Sequence, residues 1–516
     1  MGGITLNYKA KKFTFFSGIN INNDGYLHTN LKQRSVTFNG VTTSLNEHSN
    51  QHERGVMANI FVGLDWFVND KNTIGIRVED IPGSTHSIRG GENNISDNSL
   101  GYNQLDFRAS VPNTWNYIYT NFNAEHLFDS LGTKIKFNGD FYGPYNDVYP
   151  GTFQNNFYTN GSVAAPSVNF NNTNTIHVKT ILMRLDFEKK LSKTFSLETG
   201  AKSSFDNMNS IYKLQNLDNT TGQYITDTTY TNTFTYKDQI LAAYVNLQKQ
   251  LNKFSLQGGL RAENTNLQTL SITSGIAHKR SYFNLFPTAS ISYNKNDKHT
   301  FQVSFNRRID RPDYMNYNPY RQFLGNLLSY SIGNPFLYPS YTNNYEFSHN
   351  YKGMVGGSFS YSRTTNYMYG FPLQNDSTKQ SVFKTTNLNR AETYALSMFA
   401  QKDITKWYTL SLNITGYYFG FTGNVNGTNY KKFAPSAYGY ISNMFNLPAK
   451  FKLDISALYL SPWLNAVATS KTQWAVNFAI KKSFFNDKLN FSIGINDLFF
   501  TYVIGLLLMY LINTTM

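Results

Sequence analysis

The amino-acid sequence predicts an all-β protein built as one large antiparallel transmembrane β-barrel. Short runs of alternating apolar and polar residues recur from Gly2 to Phe499. Tight turns rich in Asn, Asp and Lys join these runs on one side, and long polar connections join them on the other. Outer-membrane barrels have this two-ended asymmetry, with short periplasmic turns and long extracellular loops. The third observation is the aromatic load. The chain has 37 Tyr and 41 Phe against 5 Trp and 14 Pro, a balance that suits strands and interfacial girdles.

In chain order, the short turns fall near residues 10–12, 69–72, 129–133, 189–193, 250–253, 294–298, 351–354, 401–406, 446–450 and 486–488. Each is flanked by two alternating runs, giving about twenty readable strands. The long connections fall at 23–54, 81–114, 142–175, 205–233, 307–342 and 364–381, all rich in Asn, Gly, Ser, Thr and Pro. The clearest hairpin spans 241–263. Leu241, Ala243, Val245 and Leu247 alternate with Ala242, Tyr244, Asn246 and Gln248. Beyond the turn, Leu256, Gly258, Leu260 and Ala262 alternate with Gln257, Gly259, Arg261 and Glu263. One face suits lipid and the other a polar lumen. Strands in hydrocarbon must close into a ring, because each unsatisfied backbone group there costs several kcal/mol. A β-propeller or β-solenoid would show a fixed repeat, and none is present.

Composition narrows the function classes. Hydrophobic residues make up 41% and the mean hydropathy is −0.41, which does not exclude a membrane barrel, since only alternate strand positions need be apolar. The formal charge is +14, but the lysines sit as pairs at turn edges (Lys11–Lys12, Lys189–Lys190, Lys481–Lys482). No compact basic patch marks a nucleic-acid surface, so no nucleic-acid partner is expected. With Cys absent, disulfides and thiolate metal sites are excluded. The 9 histidines are scattered, and the sequence contains no metalloprotease helix, dinucleotide turn or nucleophile elbow. Glu125 and His126 are adjacent in a strand and so point to opposite faces. The reading is therefore a non-enzyme with no cofactor and no metal.

The ends break the pattern. Met1 to Lys9 enters strand alternation at once, without a basic segment followed by an apolar one. Residues 502–512 are almost uniformly apolar, too short for a spanning helix and without strand period. These features divide the chain into a partial barrel, 1–499, and an aberrant apolar tail, 500–516.

The most specific segment is 301–347. The strand Phe301-Gln302-Val303-Ser304-Phe305-Asn306 runs into Arg307-Arg308-Ile309-Asp310-Arg311-Pro312. Gly333-Asn334-Pro335-Phe336-Leu337-Tyr338-Pro339 follows, and then Thr342-Asn343-Asn344-Tyr345-Glu346. This order resembles the barrel portion of the TonB-dependent outer-membrane receptors of Bacteroidetes-type bacteria. Ile495-Asn496-Asp497-Leu498-Phe499 resembles the same family near its penultimate hairpin. Ser340 stands where the family usually has Glu. The resemblance implies a barrel of about twenty-two strands, preceded by a signal and a plug that this sequence does not show. It also implies a place in the cell outer membrane, contact with outer-membrane lipid, and uptake of a small ligand or oligosaccharide. A TonB-type energy-coupling complex is implied as partner only where a plug is present.

Candidate ligand-loop residues are Arg307, Arg308, Arg311, Tyr314, Tyr317, Tyr320, Asn334 and Phe336. The guanidinium fork and the mixture of aromatic rings with amides suit an anionic or sugar-like ligand. The simpler reading pairs the arginines with Asp310, Asp313 or lumen carboxylates, packs the aromatics against one another, and makes Gly333-Asn334-Pro335 a turn. Phe323 and Tyr330 belong to the same loop cluster, and Tyr361, Tyr367, Tyr369 and Phe371 read as part of the external rim. Three rival functions stand beside uptake: a surface adhesion or ligand-binding barrel, an outer-membrane hydrolase, and a nonfunctional receptor fragment.

Overall fold

The computed structural model describes residues 2–425, 427–465, 468–484, 489–499, 501, 506–508 and 512–513. Among the described residues one sheet of 26 strands carries the fold. Along its wall each strand pairs antiparallel with the next, an up-and-down meander. The hairpin of Asn232–Leu251 and Phe254–Ser271 has the register its alternation requires: Val245 faces Leu260 and Tyr244 faces Arg261. Leu241, Val245, Leu247 and Leu260 are exposed on the lipid face, while Ala242 and Glu263 are buried on the lumen face.

The strand number exceeds the twenty or so expected for physical reasons. Two staves are interrupted, one between Asn72–Asp80 and Gly83–Ile95, the other between Gln104–Asn116 and Ile118–Leu127. The uninterrupted strands beside them, Val41–Asn69 and Lys134–Thr159, pair with both pieces. Four short strands, Tyr224–Thr226, Gln322–Phe323, Ser329–Ile332 and Ile512–Asn513, add to the same sheet. Among the described residues no pairing joins Gly2–Lys9 to Leu489–Ile495.

Most tight turns lie where alternation places them. Two fall late: the chain reverses at 193–194 and 406–407, because irregularities at Phe195/Ser196 and between Asp403 and Thr405 absorb an extra residue. The expected turn at 486–488 and most of the apolar tail lie outside the described residues. Aromatic rings gather beside the short turns, with Phe254 4.8 Å from Tyr293, Phe301 4.4 Å from His349, and Tyr408 5.0 Å from Phe445. They form the interfacial girdle of that end.

The long connections need correction. Five of the six expected loops are largely strand, continuing the sheet well beyond the membrane. Phe13–Phe38 and Val41–Asn69 meet at Asn39-Gly40, and Lys134–Thr159 and Ser162–Ser192 meet at Asn160-Gly161. Both tips have positive φ at each residue, 50° then 79° and 50° then 80°. An Asn-Gly pair adopts this type I′ turn readily, and its twist matches the flanking strands.

The short turn at 129–133 carries a pH-dependent clasp. The Thr133 hydroxyl and backbone N–H, together with the Leu131 N–H, hold the Asp129 carboxyl below its ordinary value. A carboxyl lowered in the folded state contributes fully above its unfolded value and loses that contribution as pH falls through the folded one. Amide-exchange protection at Leu131 and Thr133 should therefore fade below about pH 4. Asp129→Asn should make it pH-independent in that range, and protection unchanged down to pH 2 in the parent would refute the clasp.

Candidate functional site

Of the expected long loops, only 311–339 is a true irregular segment, and it folds inward. Pro312 removes a backbone donor as the strand His299–Asp310 ends. Asp313 then caps the single helical turn Tyr314–Tyr317 by accepting the Asn316 N–H at 2.9 Å. Further on, the Asn334 side chain accepts the Phe336 N–H at 3.1 Å, closing an Asx turn. Between these, Ser329–Ile332 pairs in parallel with the start of Ser381–Thr405.

The segment touches strands far apart around the wall. Arg89 Nη1 donates to the Leu324 carbonyl at 2.9 Å, and the Leu327 N–H donates to Asn155 Oδ1 at 3.3 Å. The Arg280 guanidinium donates to the Leu337 carbonyl. Asn387 Nδ2 donates to the Tyr338 carbonyl at 2.8 Å, and the Tyr338 N–H donates to Asn387 Oδ1 at 2.8 Å. Four apolar clusters anchor it. Leu337 and Tyr317 pack with Ile176, Met208, Phe234 and Leu267, while Tyr320 packs with Phe153, Phe170 and Tyr212. Leu328 meets Leu45, Leu105 and Phe157, and Tyr330 meets Phe371, Val382 and Phe421. Strands so distant can share one segment only across the lumen, so 311–339 spans the interior.

This arrangement separates the eight candidate residues. Arg307 shares the outward face of Val303 and Phe305, with its guanidinium 5.4 Å from the Tyr341 ring. Arg308 alternates to the polar face of Ser304 and Asn306 and is exposed. Arg311 is tied down, with Nη2 2.6 Å from Glu263 Oε2 and 3.0 Å from Thr265 Oγ1, and Nε 3.3 Å from the Tyr282 hydroxyl. Tyr314 is half-buried against the Leu337 cluster, and Tyr317 is fully buried there. The Tyr320 hydroxyl donates in a shared bond to the Thr229 and Thr231 carbonyls, 2.7 and 2.8 Å away, and burial pushes its phenol up to about 12. Asn334 closes its turn. Phe336 alone among the aromatic candidates is open, at 60% exposure. The lumen carboxylate that partners Arg311 is therefore Glu263, and Asp313 serves as a helix cap.

The open surface contains residues that sequence reasoning missed. Tyr338 is 54% exposed, and the Arg280 guanidinium lies 3.8 Å from its ring centroid. The His278 ring meets Phe336 edge-on at 5.7 Å. Alternation within Phe336-Leu337-Tyr338, with the middle side chain inward and its neighbours outward, is the signal that could have revealed this. Tyr361 belongs to an outward stack with Tyr345 and Tyr394, whereas Tyr367, Tyr369 and Phe371 pack around Phe419 and Phe421. They form no common rim.

At membrane depth a polar chamber of about 620 Å³ opens on the lumen wall, lined among others by Asp140, Arg184, Glu198, Lys202, Tyr244 and Arg261. Arg184 Nε lies 2.7 Å from Asp186 Oδ2, and the Tyr244 hydroxyl donates to Glu198 Oε1 at 3.1 Å and to Asp186. Lys136 Nζ stands 3.0 Å from Glu188 Oε1. Such pairs, along one strand and across neighbouring ones, keep the lumen polar. Among the described residues no cluster of His, Cys, Asp or Glu could hold a metal ion.

One prediction follows from the turn at Gly333. A Cβ there would collide with the Asn318 backbone and lie 2.8 Å from the Asn316 carbonyl oxygen. Gly333→Ala should lower stability by about 1–3 kcal/mol and make 311–339 more sensitive to protease. An unchanged thermal midpoint and digestion pattern would count against the inward fold.

Residues 126–507 match the outer membrane protein beta-barrel family. The chain belongs to that family. It is an outer-membrane β-barrel, with the cell outer membrane as its place. Among solved structures, the copper transporter OprC matches at TM-score 0.61 and 12% identity, over 98% of this chain and 74% of that one. The ferric citrate transporter FecA, unliganded, matches at 0.57 and 10%, over 98% and 76%. The ferripyoverdine receptor of Pseudomonas aeruginosa, bound to ferripyoverdine, matches at 0.57 and 13%, over 95% and 68%. At these identities the likeness is one of fold. A search of curated proteins finds no sequence match.

Proposed function

We propose that this outer-membrane barrel forms the channel of an energy-coupled uptake receptor. The observation that carries the reading is the vertical order of its lumen: an open aromatic and basic surface at Phe336, Tyr338 and Arg280, a segment spanning the interior, and a polar chamber beneath. A ligand held at the first would have to displace the second to reach the third. The barrel makes and breaks no bond in this scheme. A plug, carried in the same polypeptide or supplied by a partner, would couple it to the inner membrane through a TonB-type complex. Fold relatives whose names specify copper, ferric citrate and ferripyoverdine make metal chelates the first ligands to test.

The test is accumulation of labelled copper, ferric citrate and ferripyoverdine, with an oligosaccharide panel, by cells carrying or lacking the gene. Uptake of at least one should fall on deletion and on collapse of the proton gradient. Gene-dependent surface binding without gradient-dependent accumulation would instead support the ligand-binding barrel. No gene dependence for any probe would reject uptake of these ligand classes.

A further inference from the structure

The outward face of one sector carries a lysine row that neither the uptake scheme nor the lumen uses. Cross-strand register aligns Lys179 with Asn207, Asn207 with Lys237, Lys237 with Gln268, and Gln268 with Lys279. All five side chains are exposed. They alternate in step with Ile181, Phe205, Leu241 and Phe283, the exposed apolar belt of the same strands. The lysines therefore stand on the lipid-facing side, two to four residues above that belt, or about 5–10 Å along tilted strands. Successive lysines are two strands apart, about 10 Å at ordinary sheet spacing.

Level with Ile181 and Phe205, and between Leu241 and Phe283 below and the lysines above, lies a second row, Gln239, Asn266 and Ser281. Ser281 Oγ donates to Asn266 Oδ1 at 2.8 Å, and Asn266 Nδ2 lies 3.5 Å from Gln239 Oε1. Going outward on these three strands, the wall thus changes from apolar to amide and hydroxyl to cationic, while on the two strands beside them the apolar belt reaches up to the amide row. No carboxylate stands in the amide or lysine row, and Asp206 and Asp238, the nearest in sequence, alternate to the lumen face. Among the described residues none of the three lysines makes an ion pair, whereas Lys134 and Lys136 on the lumen wall both do.

We propose that this sector is a docking surface for a phosphorylated glycolipid of the outer leaflet, with acyl chains on the belt, sugars at the amide row and phosphates on Lys179, Lys237 and Lys279. The inference rests on the outer-membrane location and is independent of uptake. A row of like charges held at one height on a rigid sheet repels itself, and a lipid phosphate at that height is the nearest anion that relieves it. Lysine stems are long enough to reach down to the headgroup plane.

The experiment uses the full chain purified in detergent and titrated with bisphosphorylated lipid A, or with the same lipid stripped of its phosphates, while thermal midpoint is followed. The phosphorylated lipid should raise the midpoint and the stripped one should not. K179Q/K237Q/K279Q should weaken the apparent affinity about a hundredfold, with an unchanged midpoint in lipid-free detergent. The triple arginine variant, which keeps the charge, should retain binding. Equal affinity of the glutamine variant and the parent, or a parent indifferent to the phosphates, would overturn the proposal. If the glutamine variant fails to fold, the parent's response to the two lipids and that of the arginine variant still decide it.

Discussion

Replacing Leu337 with alanine should destabilise the barrel by about 3 kcal/mol and loosen the segment that spans its lumen. Leu337 is completely buried, enclosed by Ile176, Met208, Phe234, Leu267 and Tyr317. The first four of these sit on rigid strands that cannot collapse into the space, so both the transfer and the cavity terms apply. Phe336→Ala, one residue away, removes a larger side chain that is 60% exposed and should change stability by less than about 0.5 kcal/mol. The pair separates packing from size. Thermal midpoints in detergent measure the first effect, and single-channel conductance in planar bilayers measures the second. Leu337→Ala should raise the frequency of open events and Phe336→Ala should leave it unchanged. Equal stability losses in the two variants would mean that 311–339 is not seated as described.

The contrast between these neighbours also shows what the sequence could and could not reveal. Alternation in 241–263 specifies faces, register and membrane side, because a one-residue slip would place Glu263 and Arg261 in lipid. The same rule misses the extended hairpins above the membrane. There the lumen face is itself partly apolar, with Leu45, Leu105, Phe153 and Phe157 buried among polar neighbours, so composition resembles a loop. The Asn-Gly pairs at 39–40 and 160–161 were the available signal, since they specify two-residue hairpins whatever surrounds them. For the site, the segment 301–347 was legible as a unit, but its side-chain roles were not. Arg307, Arg308 and Arg311 look alike in sequence, yet strand parity sends the first outward and the second inward, and a carboxylate 48 residues earlier fixes the third. The polar chamber depends on register among many strands and leaves no local motif.

The ion-pair node at Glu263 is where the loss of one side chain should cost most after the core. Its carboxylate is buried and receives Arg261 Nε at 2.5 Å and Arg311 Nη2 at 2.6 Å. Removing it would leave two guanidinium groups near each other without their shared carboxylate, and Arg311 would retain only the neutral acceptors Thr265 and Tyr282. Breaking a buried pair from one side costs about 3–5 kcal/mol. Arg261 is 30% exposed and Arg311 21%, so water screens part of the penalty and about 2–3 kcal/mol is expected for Glu263→Ala. Arg311 lies where the wall strand becomes the spanning segment, so the loss should appear first as faster proteolysis of 311–339 and then as a lower thermal midpoint. A double-mutant cycle with Arg311→Met distinguishes this from a general weakening of the wall. If Glu263 holds the segment through Arg311, the double variant should recover at least about 1 kcal/mol relative to the sum of the singles. Strict additivity would show that the two side chains act independently and that Arg311 does not anchor the segment.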